Sequence, residues 1–99
     1  MNMADFKASL SGAVPAPDFA APLSALWWVA KGNWDQAHKI AQDEATADGA
    51  WVHAYLHRVE GDLGNAGYWY RQAHKPVATG SLETEWELIA SELLGEATA

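Results

Sequence analysis

The sequence predicts an all-α fold: two antiparallel helical hairpins, a C-terminal helix that caps them, and an N-terminal arm. Three observations carry this expectation. Apolar residues recur at helical spacing in five segments, and no segment keeps the period-two alternation of a half-buried strand. The segments are bounded by residues with a physical reason to start or stop a helix, among them Pro22, Gly32, Asn33, Gly61, Asp62, Pro76, Ser81 and Gly95. A short pattern occurs twice, as Gly32-Asn33-Trp34-Asp35-Gln36-Ala37 and as Gly61-Asp62-Leu63-Gly64-Asn65-Ala66. Its two glycines stand 29 residues apart, a period that fits a repeated helical hairpin.

Residues 1–22 are expected to form an arm, with residues 23–99 as the helical-repeat domain. Residues 4–10 have the spacing for one or two helical turns, after which Gly12, Pro15, Pro17 and Pro22 break regular structure. Phe6 and Phe19 are the groups able to pin the arm to the body.

The first helix of the repeat domain is expected over residues 22–31. Pro22 suits a first helical position, where its missing N–H has no helical partner to lose. Leu23, Leu26, Trp27 and Ala30 form its stripe, widened by Trp28 and Val29. The second helix is expected over 34–44, with Asn33 as N-cap and Asp35 near the positive end of the helix dipole. Trp34, Ala37, Ile40, Ala41 and Ala45 share its apolar face. The third is placed at 50–60, capped by Thr46 or Asp48. Trp51, Val52, Tyr55, Leu56 and Val59 cover one side of it, and His53, His57 and Glu60 the opposite side. Asp62 caps the fourth, at 63–74, where Leu63, Ala66, Tyr70 and Ala73 form a stripe flanked by Trp69. Pro76 blocks its continuation. Ser81 caps the fifth, at 82–94, with stripe Leu82, Trp86, Ile89 and Leu93. Its residues Glu83, Glu85, Glu87, Glu92 and Glu96 are expected to form a solvated acidic face.

Composition narrows the function classes. The formal net charge is −7, and the six basic residues are scattered along the chain. Such a chain repels phosphate backbones and anionic lipid, so no nucleic-acid or membrane partner is expected. No cysteine is present, which removes disulfides, thiolate metal sites and cysteine nucleophiles and fits a cytoplasmic setting. The first ten residues lack an apolar run, so no signal peptide is expected. Phosphate-binding loops, nucleophile triads and paired carboxylates have no counterpart: Gly61-x-x-Gly64 lacks the Lys-Ser/Thr of a phosphate loop.

Residues 55–76 resemble the tetratricopeptide repeat. Gly61-Asp62 at the turn, then Ala66, Tyr70, Ala73 and Pro76, carry the resemblance. Residues 23–45 repeat part of it in Gly32-Asn33 and Ala37, with Ala41 where that family usually has an aromatic residue. The spacing of 29 is shorter than the family's usual repeat of about 34. The Trp51–Arg58 and Tyr68–Arg71 segments also look like small uncharacterised bacterial proteins, a similarity that carries no activity. The repeat family implies protein or peptide binding on a concave helical surface. It leaves one end of the two hairpins to be covered by the fifth helix or by a second copy in a homodimer.

Two site hypotheses follow. The first is a non-enzymatic interaction module without cofactor, binding a protein or peptide through Tyr68, His53, His57 and Arg71. Consecutive aromatics Tyr68, Trp69 and Tyr70 point in three directions on a helix, which leaves Tyr68 outside the main contact. The second is a metal site. His53, His57 and Glu60 stand at i, i+4 and i+7, on one helical face, and two histidines at that spacing can hold Zn²⁺ or Ni²⁺. A further ligand, His38 or His74, would have to come from another helix. Sequence alone favours the first hypothesis, because such spacing arises readily on any helix.

Overall fold

The computed structural model describes residues 1–95. They form six helices: α1 Met3–Ser9, α2 Ala21–Ala30, α3 Trp34–Asp43, α4 Ala47–Val59, α5 Leu63–Ala73 and α6 Leu82–Leu93. No strand occurs among the described residues. None of these helices is long and apolar enough to cross a membrane. Glu96, expected on the acidic face of the last helix, lies outside the described residues.

The two occurrences of the glycine pattern fold into the same turn. Gly32 and Gly61 both take φ +84°, a left-handed conformation that a side chain would strain. In each case the N–H after the glycine returns to a carbonyl five residues back. Asn33 donates to Trp28 (3.0 Å) and Asp62 to His57 (2.9 Å), which satisfies carbonyls left open at the ends of α2 and α4. The same Asn33 and Asp62 then accept from the N–H of Gln36 (3.1 Å) and Asn65 (3.2 Å), capping α3 and α5. One residue thus closes a helix with its backbone and opens the next with its side chain.

Helix α4 is the centre of the fold. It packs against α5 most extensively, and also against α3, α6 and α2, while α2 packs on α3 and α1 on α6. Every residue from Gly49 to His57 is buried. The side of α4 opposite its apolar stripe is covered as well: His53 and His57 are buried, and of the three polar residues placed there Glu60 alone is exposed. Leu63, expected in the α5 stripe, is exposed instead.

The indole N–H groups tie the layers together. Trp34 donates to the Leu56 carbonyl at 2.8 Å, Trp86 to the Leu26 carbonyl at 2.9 Å, and Trp27 to the Ser9 hydroxyl at 3.2 Å. Phe6 is fully buried, with its ring stacked on Trp86 at 5.6 Å and edge-on to Phe19 at 5.5 Å.

Helix α4 begins three residues earlier than its sequence indicates. Thr46 is the cap, its hydroxyl accepting from the Gly49 N–H at 3.1 Å. Gly49 is inside the first turn because the chain passes directly over it. A Cβ there would lie 2.3 Å from the Glu44 carbonyl oxygen and 2.7 Å from its Cγ. Gly49→Ala is therefore expected to destabilise the fold by about 1–3 kcal/mol in equilibrium urea unfolding, the cost of overpacking, despite alanine's better helix propensity. A neutral or stabilised variant would contradict this close approach.

Candidate metal centre

Helix α4 places His53 and His57 one turn apart on the face that meets α3. The turn at Gly32 and the Asn33 cap set the start of α3, and four residues into that helix His38 points back at the pair. Its Nε2 lies 3.1 Å from Nε2 of His53. The ring centroids are 4.8 Å apart for His38–His53, 5.2 Å for His38–His57 and 4.8 Å for His53–His57. One nitrogen from each of the three rings lies within 4.8 Å of the others.

Each ring is held from outside. Trp34 stacks on His38 at 4.7 Å and 10°, and its own N–H anchors it to α4 through Leu56. Trp69, from α5, stacks on His53 at 4.0 Å and 17°. Glu60 accepts from Nδ1 of His57 at 2.7 Å. That bond holds the His57 ring through Nδ1 and turns Nε2 to the opposite edge, the way metal-ligating histidines are oriented by a carboxylate.

The surroundings of His38 and His53 keep those two rings neutral. Burial, then the neighbouring His57 and His38, lower the His53 pKa to about 4. The His38 pKa is also lowered, by desolvation first and His57 next, against the opposing pull of Glu60 and Asp35. Neutral imidazole is the form that ligates metal, so at neutral pH His38 and His53 need release no proton to bind a cation.

The sequence-derived metal set was His53, His57 and Glu60. The structure brings the two histidines together with His38 and puts Glu60 beside His57 as its hydrogen-bond partner. His74, the other candidate for a further ligand, is exposed at the left-handed C-cap of α5 (φ 58°) and joins no cluster of potential ligands among the described residues. A second group, His57 with Glu60 and Asp62, shares His57 with the triad, but Asp62 is already engaged in capping α5. The residues assigned to partner binding separate. His53 and His57 are 4% and 6% exposed, whereas Tyr68 is 43% exposed and Arg71 is on the outer face of α5. Tyr68 packs on Trp69 behind the cluster, with ring centroids 5.1 Å apart.

Sequence reading missed Trp34 and Trp69 as walls of this cluster. A usable signal existed for the first: Trp34 and His38 are spaced i, i+4, one turn apart on one helix. No protein-family model, curated protein or solved structure matches this chain, so its function is read from the site itself.

Proposed function

We propose that this protein binds a divalent transition-metal ion through His38, His53 and His57, with Glu60 orienting His57. The observation that carries the reading is the convergence of three imidazoles from two helices, with one ring nitrogen of each within 4.8 Å of the others. Three points support it. The rings of His38 and His53 are kept neutral by their surroundings. Two of the three rings are held by stacked indoles and the third by a carboxylate, which lowers the ordering entropy of binding. An all-imidazole donor set suits Zn²⁺, Ni²⁺ or Cu²⁺ rather than Mg²⁺ or Ca²⁺, which take oxygen ligands.

Chelator-stripped protein should gain about 2.7 kcal/mol of stability at Zn²⁺ or Ni²⁺ concentrations 100-fold above Kd, because the ion binds the assembled cluster and not the unfolded chain. In a domain of this size that is roughly a 10–20 °C rise in Tm. His38→Ala, the variant at the half-exposed member, should abolish most of the gain while leaving the apo fold intact. His53→Ala and His57→Ala should abolish it too. An unchanged Tm, with no heat of binding by calorimetry, would sink the proposal.

A second reading keeps the helical pairs as a tetratricopeptide-like interaction module. It is supported by the two glycine turns with equal φ and equivalent caps. Its binding surface would lie around exposed Tyr68 and Arg71, and Tyr68→Ala should then weaken capture of a peptide partner without altering metal affinity.

A further inference from the structure

We infer that a metal ion held by His38, His53 and His57 keeps one exchangeable coordination position, open to water and small anions. The inference rests on the metal-binding reading above and names the class of ligand the centre takes. A closed structural site needs four protein donors, whereas three histidines plus an open position is the composition of a reactive centre. The two indoles that wall the triad do not supply a fourth donor. Trp34 and Trp69 stack on its rings, and indole nitrogen donates a hydrogen bond but offers no lone pair to a cation. The Trp34 N–H is in any case committed to the Leu56 carbonyl.

Glu60 is the nearest carboxylate, and its Oε1 is engaged at Nδ1 of His57, 2.7 Å away. With His57 ligating through Nε2, that carboxylate sits at the other edge of the ring and orients it from outside the coordination sphere. The cluster also has a wet side. His53 and His57 are buried, but His38 is half-buried and Glu60 is exposed, so the triad meets solvent at its His38 and Glu60 edges. A small ligand arriving from there meets a cation backed by stacked indoles. Metal-bound water in such a position is strongly acidified, to a pKa of about 7 in the known three-histidine zinc case.

The experiment uses the whole chain loaded with one equivalent of Co²⁺, whose visible spectrum reports coordination, and titrates sodium azide into it. The expected result is a saturable change in the cobalt bands with azide, in the wild type and in Glu60→Gln alike. Glu60→Gln should weaken cobalt binding about 10- to 100-fold, as loss of an orienting carboxylate does. A cobalt spectrum that azide leaves unchanged in the wild type but alters in Glu60→Gln would make Glu60 the fourth ligand and overturn the inference. A spectrum unaffected by azide in both proteins would also overturn it, leaving metal binding itself in place. Failure of wild type to bind cobalt at all would instead remove the metal reading on which the inference stands.

Discussion

Arg58→Met is expected to cost about 3–5 kcal/mol, a large fraction of the stability of a domain this size. The reason is the Glu85 carboxylate, which is 5% exposed. Arg58 donates to it at 3.0 Å from Nη1 and also donates to the Gly80 carbonyl. The Tyr70 hydroxyl donates to its other oxygen. Burial and the Glu85 hydrogen bond push the Tyr70 pKa above its ordinary value, and burial with the Glu85 charge raises that of Tyr55 to about 12. Both phenols therefore stay protonated at neutral pH, and Tyr70 stays a donor. Removing Arg58 leaves a buried carboxylate with that one donor and no counter-charge. Urea unfolding at pH 7 should show the loss. Arg58→Met/Glu85→Gln should recover much of it, because deleting the charge with its partner is cheaper than orphaning it. Equal costs for the single and double variants would mean that the ion pair is not what the single variant breaks.

Acid should destabilise the metal-free protein before its carboxylates titrate fully. His53 has a folded-state pKa of about 4 against 6.5 when unperturbed. Between those values the unfolded chain binds the proton more tightly. Stability is therefore fully present above pH 6.5 and is lost as pH falls toward 4. A shift of that size sets a ceiling of about 3 kcal/mol, and solvent access past His38 brings the expected loss to about 2–3 kcal/mol. Urea unfolding at a series of pH values should show the slope in wild type. His53→Gln, which cannot take up the proton, should flatten it between pH 6.5 and pH 4.5. A slope identical in both proteins would assign the acid sensitivity to other groups.

Both sites illustrate how far the sequence reaches. Helix existence and type were legible because they rest on local chemistry. The Gly32-Asn33 and Gly61-Asp62 turns need only a residue that tolerates positive φ and an oxygen three residues before an open N–H. Ser81 caps α6 by the same local rule, accepting from Thr84 at 3.0 Å. The i, i+4 placement of His53 and His57 was legible for the same reason, since helical geometry alone puts them on one face.

The rest was decided in three dimensions. The start of α4 at Ala47 was masked by Gly49, which reads as a breaker and is required only because the Glu44 carbonyl crosses it. Periodicity records the contrast in polarity around one helix, and so it set the histidine side of α4 opposite the apolar stripe without saying what covers it. α3 and α5 cover that side with Trp34, His38 and Trp69, and the histidines are buried among aromatic rings. Glu85 reads as one charge of a solvated acidic face until Arg58, 27 residues away in sequence, meets it. His38 stands 15 residues from His53, and no spacing rule brings its Nε2 to 3.1 Å from the other. The sequence by itself determined the helices, their caps and the histidine pair, which depend on neighbours within a turn of chain. Only the tertiary structure decided which polar groups were desolvated and what they faced, because burial belongs to the packing of one helix on another.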